Sequence, residues 1–370
     1  MRLYGLVLLT CCALPLMAQT SGFTALAAQA NQARESDRLD EAVVLYRKAL
    51  ALQPAWAEGW WYLGTLLYDR DDYAGAADAL RKAVELSPQA GSAVAMLGLC
   101  EARLGRDRDA LQHLEKGGTL GVGGDESLHR VMLYTQGTLL LAAGEFSKAQ
   151  EALDLLARAG ADQDELMDAL GESVLGIRPQ DLAASDAASD SASDSAKREV
   201  VRRAGRAEHV AAIGDVHAAL AEYGRLAAGA PKFRNVQFAY GRFLLANHLD
   251  DQAVAAFRRE IENSPQHLLA RLGIAGIMVE TDPAAGLPYA EQAVQLAPGL
   301  AEAHYLLGML LLSTGAVERA IAELETAEHK DPADARVYFA LGRAYAMAHR
   351  MKDAARARAE FARLSKENPK

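Results

Sequence analysis

Large apolar residues in the stretch 57–86 recur at steps of three and four: Trp60, Leu63 and Leu67, then Ala76, Leu80, Ala83 and Val84. Such steps place side chains on one face of an α-helix. The stretch therefore predicts two helices, 57–68 and 74–86, separated by a polar turn at 69–73. Ser87-Pro88 closes the second, because proline lacks an amide hydrogen and disfavours helical angles in the residue before it.

The pattern then repeats with a period of 34 residues. Leu63-Gly64 returns as Leu97-Gly98, and Leu307-Gly308 as Leu341-Gly342. Pro54 and Pro88 keep the same step, as do Pro231 and Pro265, and Pro298 and Pro332. A fixed period of this length signals stacked copies of one supersecondary unit. Glycine inside a helix costs about 1 kcal/mol against alanine. Its recurrence in phase at Gly64, Gly98, Gly137, Gly241, Gly308 and Gly342 points to one shared cause, a close crossing of two helices.

These residues resemble the tetratricopeptide repeat. That pattern is an aromatic, Leu-Gly, a second-helix alanine, an aromatic or leucine, another alanine and a closing proline. Here it stands as Trp60, Leu63-Gly64, Ala76, Leu80, Ala83 and Pro88. The unit ending at Pro332 carries Leu307-Gly308, Ala320, Leu324 and Ala327, with His304 in the aromatic slot. The resemblance implies an all-α fold, an α-solenoid of stacked helix-turn-helix repeats.

Nine units follow from the small slot of the first helix and the alanine slot of the second. The step into the fourth unit is 39, and the glycines from Gly117 to Gly124 mark the five extra residues. The seventh unit is one residue short and contains Pro283 and Pro288, which predicts a distorted second helix. Leu170-Gly171 lies 34 beyond Gly137 and predicts a tenth, decayed unit whose first helix spans 164–175. After it comes a run rich in Ala, Ser and Asp, which reads as a linker. The expected organisation is an N-terminal block 23–177, a linker 178–198 and a C-terminal block 199–368. A continuous rigid superhelix is the competing arrangement.

Residues 1–18 read as a secretory signal peptide: Arg2, an apolar run from Leu3 to Leu16, and a cut after Ala18. The run is short for a span, which needs about 20 apolar residues. The expectation is export to a bacterial periplasm or envelope, with a retained N-terminal anchor as the rival. Beyond this segment Cys100 stands alone, so no internal disulfide can form. The formal net charge of −10 opposes nucleic-acid binding, which needs clustered cations.

The sequence carries no His-Glu-x-x-His, no Gly-x-Ser-x-Gly and no phosphate loop. Asp69, Asp71 and Asp72 lack the loop length and glycine of a calcium hand. The expectation is a non-enzymatic chain with no catalytic residue, metal, cofactor or small-molecule substrate.

The resemblance implies that the first helix of each unit lines a concave groove that holds peptides or protein segments. By helical phase the groove residues are Trp61, Thr65 and Tyr68 in the second unit, Leu99 and Arg103 in the third, and Tyr134, Thr138 and Leu141 in the fourth. The C-terminal block supplies Phe238, Arg242, Tyr305, Met309, Phe339 and Arg343. The first groove reads as apolar with Glu58 and Asp69 nearby. The second reads as apolar with arginines, which suits an acidic partner. The lysine–asparagine clamp with which some members hold a peptide C-terminus is not matched, since only Asn31 fits. The expected function is an exported scaffold that assembles an envelope complex. The alternatives are an accessory ligand-binding subunit and a membrane-anchored organiser.

Overall fold

The computed structural model describes residues 13–186 and 191–367, with side chains described for 22–182 and 195–367. Among these, every regular element is a helix. The expected signal peptide lies outside the described residues, apart from the backbone of 13–18, which is helical. No helix among the described residues is long and apolar enough to cross a membrane.

The chain divides into two compact units, residues 1–194 and 195–370. In the first, the helices are α1 (Ala13–Glu35), α2 (Leu39–Leu52), α3 (Ala57–Tyr68), α4 (Tyr73–Leu86), α5 (Gly91–Arg103), α6 (Asp107–Leu120), α7 (Glu126–Ala143), α8 (Phe146–Arg158), α9 (Asp164–Leu175) and α10 (Pro179–Asp186). Helix α11 (Ser191–Ala212) runs through the unit boundary. The second unit continues with α12 (Val216–Gly229), α13 (Val236–Ala246), α14 (Asp250–Asn263), α15 (Leu268–Thr281), α16 (Pro283–Leu296), α17 (Ala301–Ser313), α18 (Val317–Lys330), α19 (Ala335–Met347) and α20 (Met351–Glu367). From α1 to α8 each odd-numbered helix packs on the even-numbered helix after it, and each pair packs on the next. The pairs α13–α14 to α19–α20 do the same.

The recurrent glycine has the close-packing cause its phase predicts. A Cβ on Gly64 would stand 2.6 Å from Leu80 Cγ, and one on Gly308 would stand 2.6 Å from Leu324 Cγ. On Gly137 it would meet Leu153 Cδ2 at 2.7 Å, and on Gly241 Phe257 Cδ1 at 2.6 Å. The leucine or phenylalanine of the second helix thus occupies the space a side chain would need. Leu80, Leu153, Leu324 and Phe257 are buried in return, each contributing roughly 1.5–3 kcal/mol.

In four units the aromatic slot holds a side chain that hydrogen-bonds the preceding proline carbonyl. Trp60 Nε1 donates to Pro54 O (2.8 Å), Tyr338 Oη to Pro332 O (3.1 Å) and Arg271 Nη2 to Pro265 O (2.6 Å). His304 Nε2 lies 3.1 Å from Pro298 O, with Nδ1 2.7 Å from Glu323 Oε2. In each case the acceptor is the proline carbonyl six residues earlier, exposed by the end of the preceding helix. A flat side chain with a terminal N–H or O–H fits, so His304 and Arg271 can stand where an aromatic is usual.

The turns inside the pairs share a second device. Asp37, Asp71, Gly105, Gly144, Gly214, His248, Gly315 and His349 all have φ between 58° and 88°. One left-handed residue ends the first helix of each of these pairs and reverses the chain. In the seventh unit the missing residue removes this turn, and Asp282 alone joins α15 to α16 with φ −153°. The expected distortion of α16 is corrected here, because the helix runs unbroken through Pro288. Pro283 takes the first helical position behind the Asp282 cap, where no amide is needed. Pro288 deprives only the Ala284 carbonyl of its donor, and Ala284 faces solvent.

Candidate functional site: the groove of the first helices

In the N-terminal unit the first helices α3, α5, α7 and α9 line a cleft of about 590 Å³. It gathers Tyr68, Leu99, Arg103, Tyr134 and Thr138 from the expected groove set, and adds Arg130, Val131, Glu165 and Leu166. The extra residues of the fourth unit sit just before this place. They form the loop 121–125 and lengthen α7 to 18 residues. Val131 and Tyr134 are exposed on this helix.

The other groove candidates of this unit fall elsewhere. Trp61 lines a separate cleft of about 460 Å³ with Glu58 and small residues such as Ala83, Ser87 and Ala93. Thr65 is half-buried and spends its hydroxyl on Tyr62 O (3.0 Å). Leu141 is fully buried, which corrects its assignment to the groove. It lies one turn beyond Thr138, where the face turns into the core.

Tyr68 packs edge-on against Tyr73 at 5.3 Å, and the Arg103 guanidinium stands 5.8 Å from the Tyr73 ring centre. Tyr73 in turn bonds Asp71, so the turn between α3 and α4 is tied to the rim of the cleft. Tyr134 faces three carboxylates of α9. Burial chiefly raises its phenol above the usual value, and Glu165, Glu172 and Asp168 push it the same way. Glu172 is itself pushed up to about 7, by burial first and by Asp168 second. Sequence reasoning missed this acidic row, although the signal was available. Glu165, Asp168 and Glu172 lie one 34-residue period beyond Val131, Tyr134 and Thr138.

In the C-terminal unit, Tyr305 is half-buried beneath the Arg336 guanidinium, which stands 4.9 Å from the ring centre. Arg336 bonds Glu302 and Asp334, each at 2.7 Å. Burial raises the Tyr305 phenol, and the charges of Arg336 and Arg343 oppose that shift. Phe339 is 51% exposed and leans on Phe361 at 5.5 Å. Arg242 and Arg343 are exposed, while Met309 packs partly against the core.

Phe238 packs inward, with Phe257 at 5.8 Å and the His267 ring at 4.7 Å. His267 accepts from Ala270 N through Nδ1 (3.1 Å), capping α15, and its Nε2 faces Asn235 Oδ1 at 3.2 Å. A nitrogen that accepts must be unprotonated, so the cap requires the neutral ring. Burial lowers the His267 pKa, Arg234 and Arg271 add to that, and Glu260 opposes it. A histidine whose folded pKa is depressed is protonated more readily in the unfolded chain. Stability is therefore intact above the ordinary value of about 6.5 and is lost as pH falls below it toward the folded pKa. His267→Asn keeps a capping oxygen that does not titrate there. We expect urea denaturation of the full chain to show a stability loss below that pH in the wild type, reduced in His267→Asn.

Cys100 is fully buried, and burial pushes its thiol up to about 12. It is a packed side chain.

Two family models, both described as tetratricopeptide repeat, match the chain: one over 27–91, 66–117 and 205–267, the other over 278–345. No curated protein matches it. Among solved structures, the chain is similar to "MamA 41-end from Desulfovibrio magneticus RS-1", at 20% identity and TM-score 0.43 over 46% of this chain and 97% of that one. It is similar to YrrB, described as "a TPR protein with an unusual peptide-binding site", at 18% identity and TM-score 0.41 over 46% and 88%. Similarity to yeast Tom70 extends over 95% of this chain and 93% of that one, at 15% identity and TM-score 0.32. With tetratricopeptide repeat models matching 27–117, 205–267 and 278–345, and the helices of those stretches packed in pairs, the chain belongs to the tetratricopeptide repeat proteins.

Proposed function

We propose that the protein is an exported, non-enzymatic scaffold that holds protein partners along the first helices of an N-terminal block, 23–177, and a C-terminal block, 199–368, with the run 178–198 as linker. Assembly of an envelope complex is the setting this reading favours. The observation that carries the binding role is the cleft shared by α3, α5, α7 and α9. Four successive units contribute to it, its walls hold Tyr68 and Tyr134, and its floor is apolar. Aromatic residues around a water-excluding apolar floor are the usual anchors of protein interfaces. The C-terminal block offers Tyr305, Phe339 and Arg343 on the corresponding helices.

The test is crosslinked capture from native envelope fractions. Wild type is compared with Tyr68→Ala/Tyr134→Ala and with Phe339→Ala/Arg343→Glu, each first shown by circular dichroism to be folded. A partner captured by wild type and lost from one folded variant supports the reading and identifies the block that holds it. Equal capture by all three removes the groove assignment. Export is tested by the intact mass of the mature protein, which should lack residues 1–18; a retained N-terminus favours the anchored organiser.

A further inference from the structure

We propose that the N-terminal cleft receives a protein segment presenting a large apolar side chain with a basic side chain beside it, an inference that rests on the groove reading above. The apolar half follows from the floor. Leu99, Leu156 and Leu166 are at most 3% exposed and still border the cleft, with Leu139 beside them. Water there finds few polar partners, so an apolar side chain gains by displacing it. The volume of about 590 Å³ lies in the range of sites that enclose a bulky group.

The basic half follows from the charges around the mouth. On the α5 and α7 side, Arg103 stands over the Tyr73 ring at 5.8 Å, and Arg130 pairs with Glu126 at 3.8 Å. Beyond α9, Arg178 holds Asp181 through two bonds of 2.9 and 3.0 Å. The α9 side carries Glu165, which borders the cleft, with Asp168 and Glu172 following it on the same helical face, and all three act on Tyr134. Like charges at this spacing repel, and burial first, with the Asp168 charge second, raises the Glu172 carboxyl to about 7. A lysine or arginine arriving at this edge relieves the repulsion, whereas an acidic segment would add to it.

A proton linkage follows. A cation favours ionised Glu172, so binding expels its proton. Affinity for a basic segment should then rise severalfold from about pH 6 to about pH 8. Among the described residues, Asp168 and Glu165 on α9, Tyr134 and Arg130 on α7, Arg103 on α5 and Tyr68 on α3 are the other charged or titratable groups about this cleft.

The experiment uses the full-length protein and fluorescently labelled helical peptides. One carries a phenylalanine–leucine stripe flanked by lysines, the second has glutamates for the lysines, and the third has alanines for the stripe. We expect the lysine peptide to bind at least roughly tenfold more tightly than either control. Glu165→Gln/Glu172→Gln should weaken it by about the same factor and abolish the pH dependence while leaving helicity unchanged. Equal or tighter binding of the glutamate peptide, no binding of the lysine peptide, or indifference to the glutamine variant would overturn the proposal. Failure of the groove reading gives a different result. If the envelope partner is still lost from Tyr68→Ala/Tyr134→Ala while the lysine peptide fails, the groove stands and only its charge preference falls. If that variant keeps the partner as well, both fall.

Discussion

Gly98→Ala should destabilise the chain by about 1–3 kcal/mol, even though alanine is the better helix former by about 1 kcal/mol. The added Cβ would meet Leu114 Cγ at 2.9 Å, and also two backbone atoms of α6, Ala110 O and Leu114 N, each at 3.0 Å. A side-chain tip can rotate away, but the backbone of a packed helix cannot yield without separating α5 from α6. Relief therefore comes at the expense of Leu114 and Ala110, both fully buried. Two other glycines serve as controls. Gly276 lies within α15, is exposed and has nothing within 4 Å of a Cβ, so Gly276→Ala should stabilise by about 1 kcal/mol. Gly342 faces Arg358 Cγ at 3.3 Å, a flexible stem, with Ala354 O at 3.9 Å, so Gly342→Ala should be close to neutral. Urea denaturation of the full chain gives the rank order, and hydrogen exchange of α5 and α6 locates the damage. If Gly98→Ala is no worse than Gly342→Ala, close packing is not why the glycine recurs.

These three glycines show how far the sequence can be read. The period and the helix pairs were legible because the same apolar steps recur, so predicted helices 57–68 and 164–175 coincide with α3 and α9. The cause of Gly64 and Gly98 was legible because a cost repeated in phase needs a common partner. What phase alone could not give was depth. Thr138 borders the cleft and Leu141, one turn on, is buried, a difference set by the next helix. The role of the aromatic slot was also hidden, because its partner is a backbone carbonyl and carbonyls leave no mark in a sequence. His304 looked like a departure from the pattern until its bond to Pro298 O placed it with Trp60 and Tyr338. The acidic row of α9 was readable in principle, but only by projecting Val131, Tyr134 and Thr138 one period forward into a unit whose other slots have decayed.

The sixth unit departs from the repeat pattern at one buried position, Glu260. The second-helix alanine of other units, Ala83 or Ala327, is replaced here by a carboxylate that is fully buried. Its two oxygens accept from Asn235 N (3.1 Å) and Phe238 N (3.2 Å), and Ser264 Oγ adds a contact of 3.3 Å. Asn235 is left-handed, with φ 62°, and its own side chain makes no cap for α13. Glu260 supplies that cap from the neighbouring helix, with its negative charge at the positive end of the α13 dipole. Glu260→Ala would restore the usual residue of the repeat, so the sequence pattern alone predicts improvement. The structure predicts the opposite. Two amides at the start of α13 would lose their acceptor and water would have to reach them, with a loss of about 3–5 kcal/mol from charge-assisted bonds and the dipole together. Glu260→Gln keeps the shape and one accepting oxygen but turns an NH2 toward the other amide, so about 1–2 kcal/mol should be lost. Denaturation of the full chain measures both losses, and amide exchange at Phe238 reports the cap directly. Protection at that amide should fall in the order wild type, Gln, Ala. A stable Glu260→Ala with Phe238 still protected would mean that α13 begins without the cap, and that the buried carboxylate has been kept for some purpose other than holding this helix.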